Sequence, residues 1–105
     1  MQLQIVEQAL LTVTDQVFHY EKMGDMERYI VWAEDSEGSS VEADNYKIEQ
    51  SIQGTIDLFS KIENDPWIEE IQKALNKARV SFYLNSVQYE EETGYIHYEW
   101  VWEVT

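Results

Sequence analysis

Near the end of the chain Ile96, Tyr98, Trp100, Trp102 and Val104 alternate with His97, Glu99, Val101 and Glu103. That is the two-residue period of a strand with one strongly apolar face. Glu92-Thr93-Gly94 just before it reads as a three-residue hairpin loop, with Gly94 supplying the positive φ that closes it. Pairing across such a loop sets Leu84 opposite Trp102 and Phe82 opposite Val104, so both strands turn their apolar sides to one layer. In this register Tyr83, Tyr89 and Tyr95, with Val87 and Val101, fall on the opposite face of the hairpin.

Upstream the period changes several times. Leu3, Val6, Leu10 and Val13, with Ala9 beside them, stand at helical spacing and predict an amphipathic helix over residues 2–14. Residues 17–21 alternate in a strand-like way until Met23-Gly24-Asp25 breaks the pattern. Arg28-Tyr-Ile-Val-Trp-Ala33 is a strand, rich in β-branched and aromatic residues. Residues 34–45 then turn polar and acidic, as a long loop or as the flared tip of a hairpin, and so long a polar segment in a small domain points to function. This segment is expected to be mobile in the isolated subunit and ordered by a neighbour.

Residues 50–59 give another strand, with Ile52, Ile56 and Leu58 on one face. Gly54 falls on that face and signals a bulge or the close approach of another element. Asn64-Asp65-Pro66 opens a second helix, Asp65 as N-cap and Pro66 at the first helical position. Ile68, Ile71, Leu75 and Ala78 form its buried stripe, and Glu69, Glu70, Lys77 and Arg79 match the helix dipole. The prediction is one α+β domain over residues 1–105, a mostly antiparallel sheet packed with two helices in the order α-β-β-β-α-β-β, ending in a β-hairpin.

Composition narrows the function classes. The chain has 105 residues, 44% of them apolar and 13% aromatic, which predicts a folded globule rather than a disordered chain. It has no cysteine, which excludes disulfides and thiolate metal sites. No apolar run approaches a membrane span, and the N-terminus lacks the basic-then-apolar pattern of a signal peptide, so a soluble chain used inside a cell, or in an assembly built there, is expected. Seven Lys and Arg against twenty-one Asp and Glu give a formal charge of −14, which opposes nonspecific binding to nucleic acid. Such a surface either meets a basic partner, repels DNA that must pass without sticking, or serves solubility alone.

The residues that could carry chemistry do not converge on a motif. His19 and His97, the only histidines, lie in predicted strands without a partner at a ligand spacing such as His-Glu-x-x-His. Glu90, Glu91 and Glu92 form one acidic tip, and Glu34, Asp35, Glu37, Glu42 and Asp44 another, without the residue order of a calcium loop. No serine sits in Gly-x-Ser-x-Gly, and four scattered glycines make no phosphate loop. The reading is therefore a protein that is not an enzyme, with no catalytic residue, metal or cofactor. What stands out is an aromatic surplus too large for one small core, which leaves one sheet face wrapped by helices and the other covered by another subunit, unless the helices wrap both. The candidate interface is Tyr83, Val87, Tyr89, Tyr95 and Val101, with Glu37, Glu42 and Asp44 from the polar segment.

Arg28-Tyr-Ile-Val-Trp32, Gln53-Gly-Thr-Ile-Asp-Leu-Phe-Ser-Lys61, Asp65-Pro-Trp-Ile-Glu-Glu-Ile-Gln-Lys-Ala-Leu75 and Tyr89-Glu-Glu-Glu-Thr-Gly-Tyr-Ile-His-Tyr98 resemble small proteins encoded in the morphogenesis clusters of tailed phages and prophages of Gram-positive bacteria. That group is similar to the tail-completion or tail-terminator proteins of long-tailed phages. The resemblance covers nearly the whole chain and implies a self-assembled ring, usually a hexamer, that caps the tail tube protein and docks to the head–tail connector protein. It implies a place in the host cytoplasm during assembly and then in the virion, with no membrane and no specific nucleic-acid partner. It supplies no functional residues. Head–tail connector or minor tail proteins of similar organisation are the neighbouring alternative. From a different class, a small acidic DNA mimic or inhibitor fits the charge, but a mimic should carry carboxylates in rows over a face, and here they gather at predicted loop tips.

Overall fold

The computed structural model describes residues 3–38, 41–43 and 46–105, with the backbone alone for 41–43 and 46–49. In chain order the elements are α1 (Gln4–Leu11), β1 (Val17–His19), β2 (Arg28–Glu37), β3 (Val41–Ala43), β4 (Tyr46–Glu49), β5 (Ile52–Ser60), α2 (Trp67–Lys77), β6 (Ser81–Tyr89) and β7 (Ile96–Val104). Five strands form one sheet in the order β1-β2-β5-β7-β6, and β3 pairs with β4 in a separate ribbon at the far end of the β2–β5 hairpin. This is the expected α+β class, with its C-terminal strand pair. The sheet is antiparallel except for β1, which runs parallel to β2 with Phe18 beside Val31.

Both helices lie on the same face of the sheet. Val6 and Leu10 of α1 and Ile71 and Leu75 of α2 are fully buried with Ile30, Ile56, Leu58, Trp100 and Trp102 of the strands in one core. The indole of Trp100 donates to Gln72 Oε1 at 3.0 Å, which pins α2 over β7. Asp65 starts α2 as expected: its carboxylate accepts the Trp67 backbone N–H at 2.9 Å, the bond by which a cap satisfies an orphan donor. The same carboxylate accepts from Arg28 and Ser60, both at 2.7 Å, and the Arg28 guanidinium lies over the Trp67 ring.

Gly54 serves both purposes that its position suggests. It faces Glu34 next to a bulge in β2, and it lies beneath Trp102. A Cβ on Gly54 would sit 1.9 Å from the Ala33 carbonyl oxygen and 2.7 Å from the Trp102 ring. Only a residue without a side chain lets the indole and the bulge share that space. The polar segment follows the second of its two readings, because β2 continues through Asp35 and Ser36 to Glu37 as a hairpin tip, and Gly38 N–H still donates to Ser51 O. Ser39, Ser40, Asp44 and Asn45 lie outside the described residues.

The register of the last hairpin differs from the expectation. The loop is four residues long, closed by Glu90 N–H to Tyr95 O at 2.8 Å, with Thr93 and Gly94 N–H both directed at Glu90 O. Gly94 does adopt a positive φ, 80°. A bulge at Asn85 then adds a second extra residue. Far from the loop the two extras cancel in parity, so Phe82 faces Trp102 and Leu84 faces Trp100, one pair nearer the loop than expected. Close to the loop only one extra counts. Val87 faces Tyr98 and Tyr89 faces Ile96, which puts both on the helix-side face and not on the opposite face.

Candidate interaction surface

Strand β6 is the edge of the sheet beyond β7, and α2 reaches only its first residues: Phe82 packs on the core, but Leu84, Val87 and Tyr89 do not. Tyr83, Leu84, Val87 and Tyr89 are exposed by 58%, 45%, 51% and 65%, and make up half of the eight exposed large apolar residues among those described. Three of the four lie on the helix-side face, and Tyr83 is on the other beside Val101. β6 is also uncharged throughout. Residues 80–89, between Arg79 and Glu90, are the longest run in the chain without Asp, Glu, Lys or Arg.

The open face carries a second feature, built mostly from β2, β5, β7 and the hairpin loop. Tyr29 and Phe59 stack at 4.8 Å, Phe59 and His97 at 4.2 Å, and Tyr95 stands edge-on to both Tyr29 and Phe59. The Tyr95 hydroxyl donates to Met26 O, and the ammonium groups of Lys22 and Lys61 lie over the Tyr29 and Tyr95 rings. Tyr95 thus joins the candidate interface to a cluster that the chain largely covers with its own side chains. Tyr29 is only 7% exposed, and burial, aided by Tyr95 and Glu90, pushes its hydroxyl pKa up to about 12.

His97 belongs to this cluster. Its Nε2 lies 2.7 Å from Asp57 Oδ1 and its Nδ1 3.7 Å from Glu90 Oε2. The hydrogen bond to Asp57 raises its pKa, and burial opposes the rise without cancelling it. Both ring nitrogens therefore face carboxylates while the ring stacks on Phe59. The arrangement fastens β5, β7 and the hairpin loop to one another. His19 does similar work at the other edge, stacked at 4.0 Å on Trp32 with Nε2 2.6 Å from Glu34 Oε1, a bond that holds the Glu34 pKa below its usual value. Among the described residues no group of three or more His, Asp or Glu is placed to hold a metal ion.

The remaining candidates are scattered. Glu37 is exposed at the end of β2 and accepts from Gln50 Nε2 at 3.1 Å. The Glu42 side chain and the whole of Asp44 lie outside the described residues. The layer between sheet and helices is filled by Trp32, Trp100 and Trp102, and the apolar groove of about 340 Å³ lies between the helices instead, lined by Ile5, Ala9, Ala74 and Ala78. No helix among the described residues is long and apolar enough to cross a membrane. No family model matches the chain, and no curated protein is similar to it.

Proposed function

We propose that this chain is a structural assembly subunit of a phage tail, of the tail-completion or tail-terminator kind, which acts by forming a ring at the tail end facing the head. The motifs that resemble such proteins point to the role, and one structural observation carries the assembly reading: exposed apolar side chains concentrate on a long uncharged sheet edge. Surface of that kind is where subunits meet. The tail tube protein and the head–tail connector protein are the partners expected on either side of the ring. The formal charge of −14 suits a passage that DNA crosses without adhering. The protein would act in the host cytoplasm during assembly and then in the virion, with no cofactor and no catalytic step.

Sedimentation of the chain at low and high salt, alone and with the tail tube protein, tests the proposal. Like-charged subunits repel over a Debye length of about 8 Å at physiological ionic strength, so added salt should favour ring-sized species. The tube should favour them further. Failure to form rings or to bind the tube in either salt, together with tight binding to a basic DNA-binding enzyme, would transfer the case to the acidic-mimic class. Binding to the connector alone would move the protein to a neighbouring station in the neck.

A further inference from the structure

We propose that β6 is a contact between two copies of this chain, paired antiparallel across a two-fold axis to extend the five-stranded sheet through both subunits. An exposed strand edge offers a row of backbone donors and acceptors, and proteins guard such edges with charges, prolines, bulges, short strands or covering elements. The two edges of this sheet are treated differently. β1 is only three residues long, and past its pairing with Ile30, Val31 and Trp32 the outer side of β2 runs on through Glu34, Asp35 and Glu37. β6 is nine residues long, its one guard the bulge at Asn85, and it has no charge, no proline and no helix over Leu84, Val87 or Tyr89.

Charge chooses the occupant. Two copies with a formal charge of −14 each repel wherever carboxylates meet, and the edge that bears Glu34, Asp35 and Glu37 is closed to a second copy on that ground. The uncharged β6 is where two such chains approach at least electrostatic cost. Because only one edge qualifies, self-pairing through it uses the same strand on both sides, which is the definition of an isologous, two-fold contact. The bulge at Asn85 divides β6 into two regular stretches, residues 81–84 and 86–89, each about 13 Å long at about 3.3 Å per residue, and an antiparallel pair sets one stretch of each copy against the other stretch of its partner. Along them Leu84, Val87 and Tyr89 cover one another on the helix side, and Tyr83 packs on the open side. The contact goes beyond the ring proposed above, whose head-to-tail contacts are of the other kind. A two-fold pair joins two rings or opens before one closes.

The experiment uses the whole chain. Sedimentation equilibrium over a wide concentration range should show a monomer–dimer equilibrium that salt strengthens. Val87→Lys should raise the dissociation constant at least tenfold with an unchanged far-ultraviolet spectrum and melting point, although it lowers the net negative charge. Asp35→Lys, which lowers that charge further, should not weaken the dimer. The chain has no cysteine, so single cysteines report the geometry cleanly. Placed in turn by Leu84→Cys, Asn85→Cys, Ser86→Cys and Val87→Cys, one or two adjacent positions should cross-link to their own copy on oxidation, and Asp35→Cys should not. A monomer at every concentration overturns the proposal. So does an oligomer indifferent to Val87→Lys, which also removes the observation that carries the ring reading, and so does one that Val87→Lys breaks although no β6 cysteine cross-links to itself, which assigns β6 to a head-to-tail contact of the ring.

Discussion

Removing the Trp102 indole should cost the domain a large part of its stability. The side chain is fully buried, lies 6.3 Å from the Trp32 ring centre and donates to Thr55 O at 2.9 Å. Truncation of a buried tryptophan to alanine costs about 3–5 kcal/mol, as lost transfer energy plus the cavity left behind. Trp102→Ala should fall toward the upper end, because Thr55 O also loses its donor and the glycine beneath the ring has no side chain to fill the space. With an unfolding entropy of about 2.1 cal/mol/K per residue, that loss lowers the melting temperature by roughly 14–23 °C. Small domains hold about 5–15 kcal/mol, so the variant should still fold in the cold but unfold at much lower urea. Far-ultraviolet circular dichroism against urea and temperature reads both, free of the change in tryptophan content. Gly54→Ala strikes the same contact from below and must displace the β2 backbone, so it should destabilise although it adds one methyl group. An unchanged melting point for Trp102→Ala would show that the indole is not packed between sheet and helices as described.

Two further outcomes follow from the buried polar contacts. The His97 pKa is raised in the folded state, so the stability it contributes is fully present below the ordinary histidine pKa near 6.5 and is lost as pH rises through the folded value. Urea midpoints from pH 5 to 9 should show this decline, and His97→Gln should flatten it. Asp65→Ala strips an acceptor from Arg28, Ser60 and the start of α2 at once and should cost roughly 2–4 kcal/mol in urea unfolding, with Asp65→Asn losing less because it keeps an acceptor for the Trp67 N–H.

The sequence made the elements legible and their arrangement only partly so. The helix at Asp65-Pro66, the glycine under the sheet at Gly54 and the apolar stripe from Ile96 to Val104 follow from local chemistry, and each stands where it was expected. Register did not follow, because a three-residue and a four-residue loop both fit Glu92-Thr93-Gly94, and each extra residue flips the face. One signal was there to read. Apolar residues sit at even positions in Phe82 and Leu84 and at odd positions in Val87 and Tyr89, and that change of parity marks the bulge at Asn85. Alternation alone also cannot say which strand ends at an edge, or that both helices share a face, since those depend on contacts between distant parts of the chain. The candidate surface was found in part for this reason. Tyr83, Val87 and Tyr89 stand exposed, Tyr95 is taken up by the Tyr29 cluster, and Leu84 escapes a register that pairs it with Trp102.

The strand order bears on how the domain is completed during synthesis. Apart from β1 at its outer edge, the sheet consists of two hairpins, β2–β5 and β6–β7, joined along a single seam between β5 and β7. A lone two-stranded hairpin is marginal at best in water, so β6–β7 does not stand until the seam forms, and β1, β2 and β5 meanwhile lack the strand that completes their core. β7, although the last element among the described residues, lies inside the sheet with β5 on one side and β6 on the other. A nascent chain therefore holds β2, β5 and both helices without the strand that brings Trp100, Trp102 and Val104 to them. Its core closes only when residues 96–104 have left the ribosome, and every earlier length of the chain carries an open apolar face for a chaperone to shield.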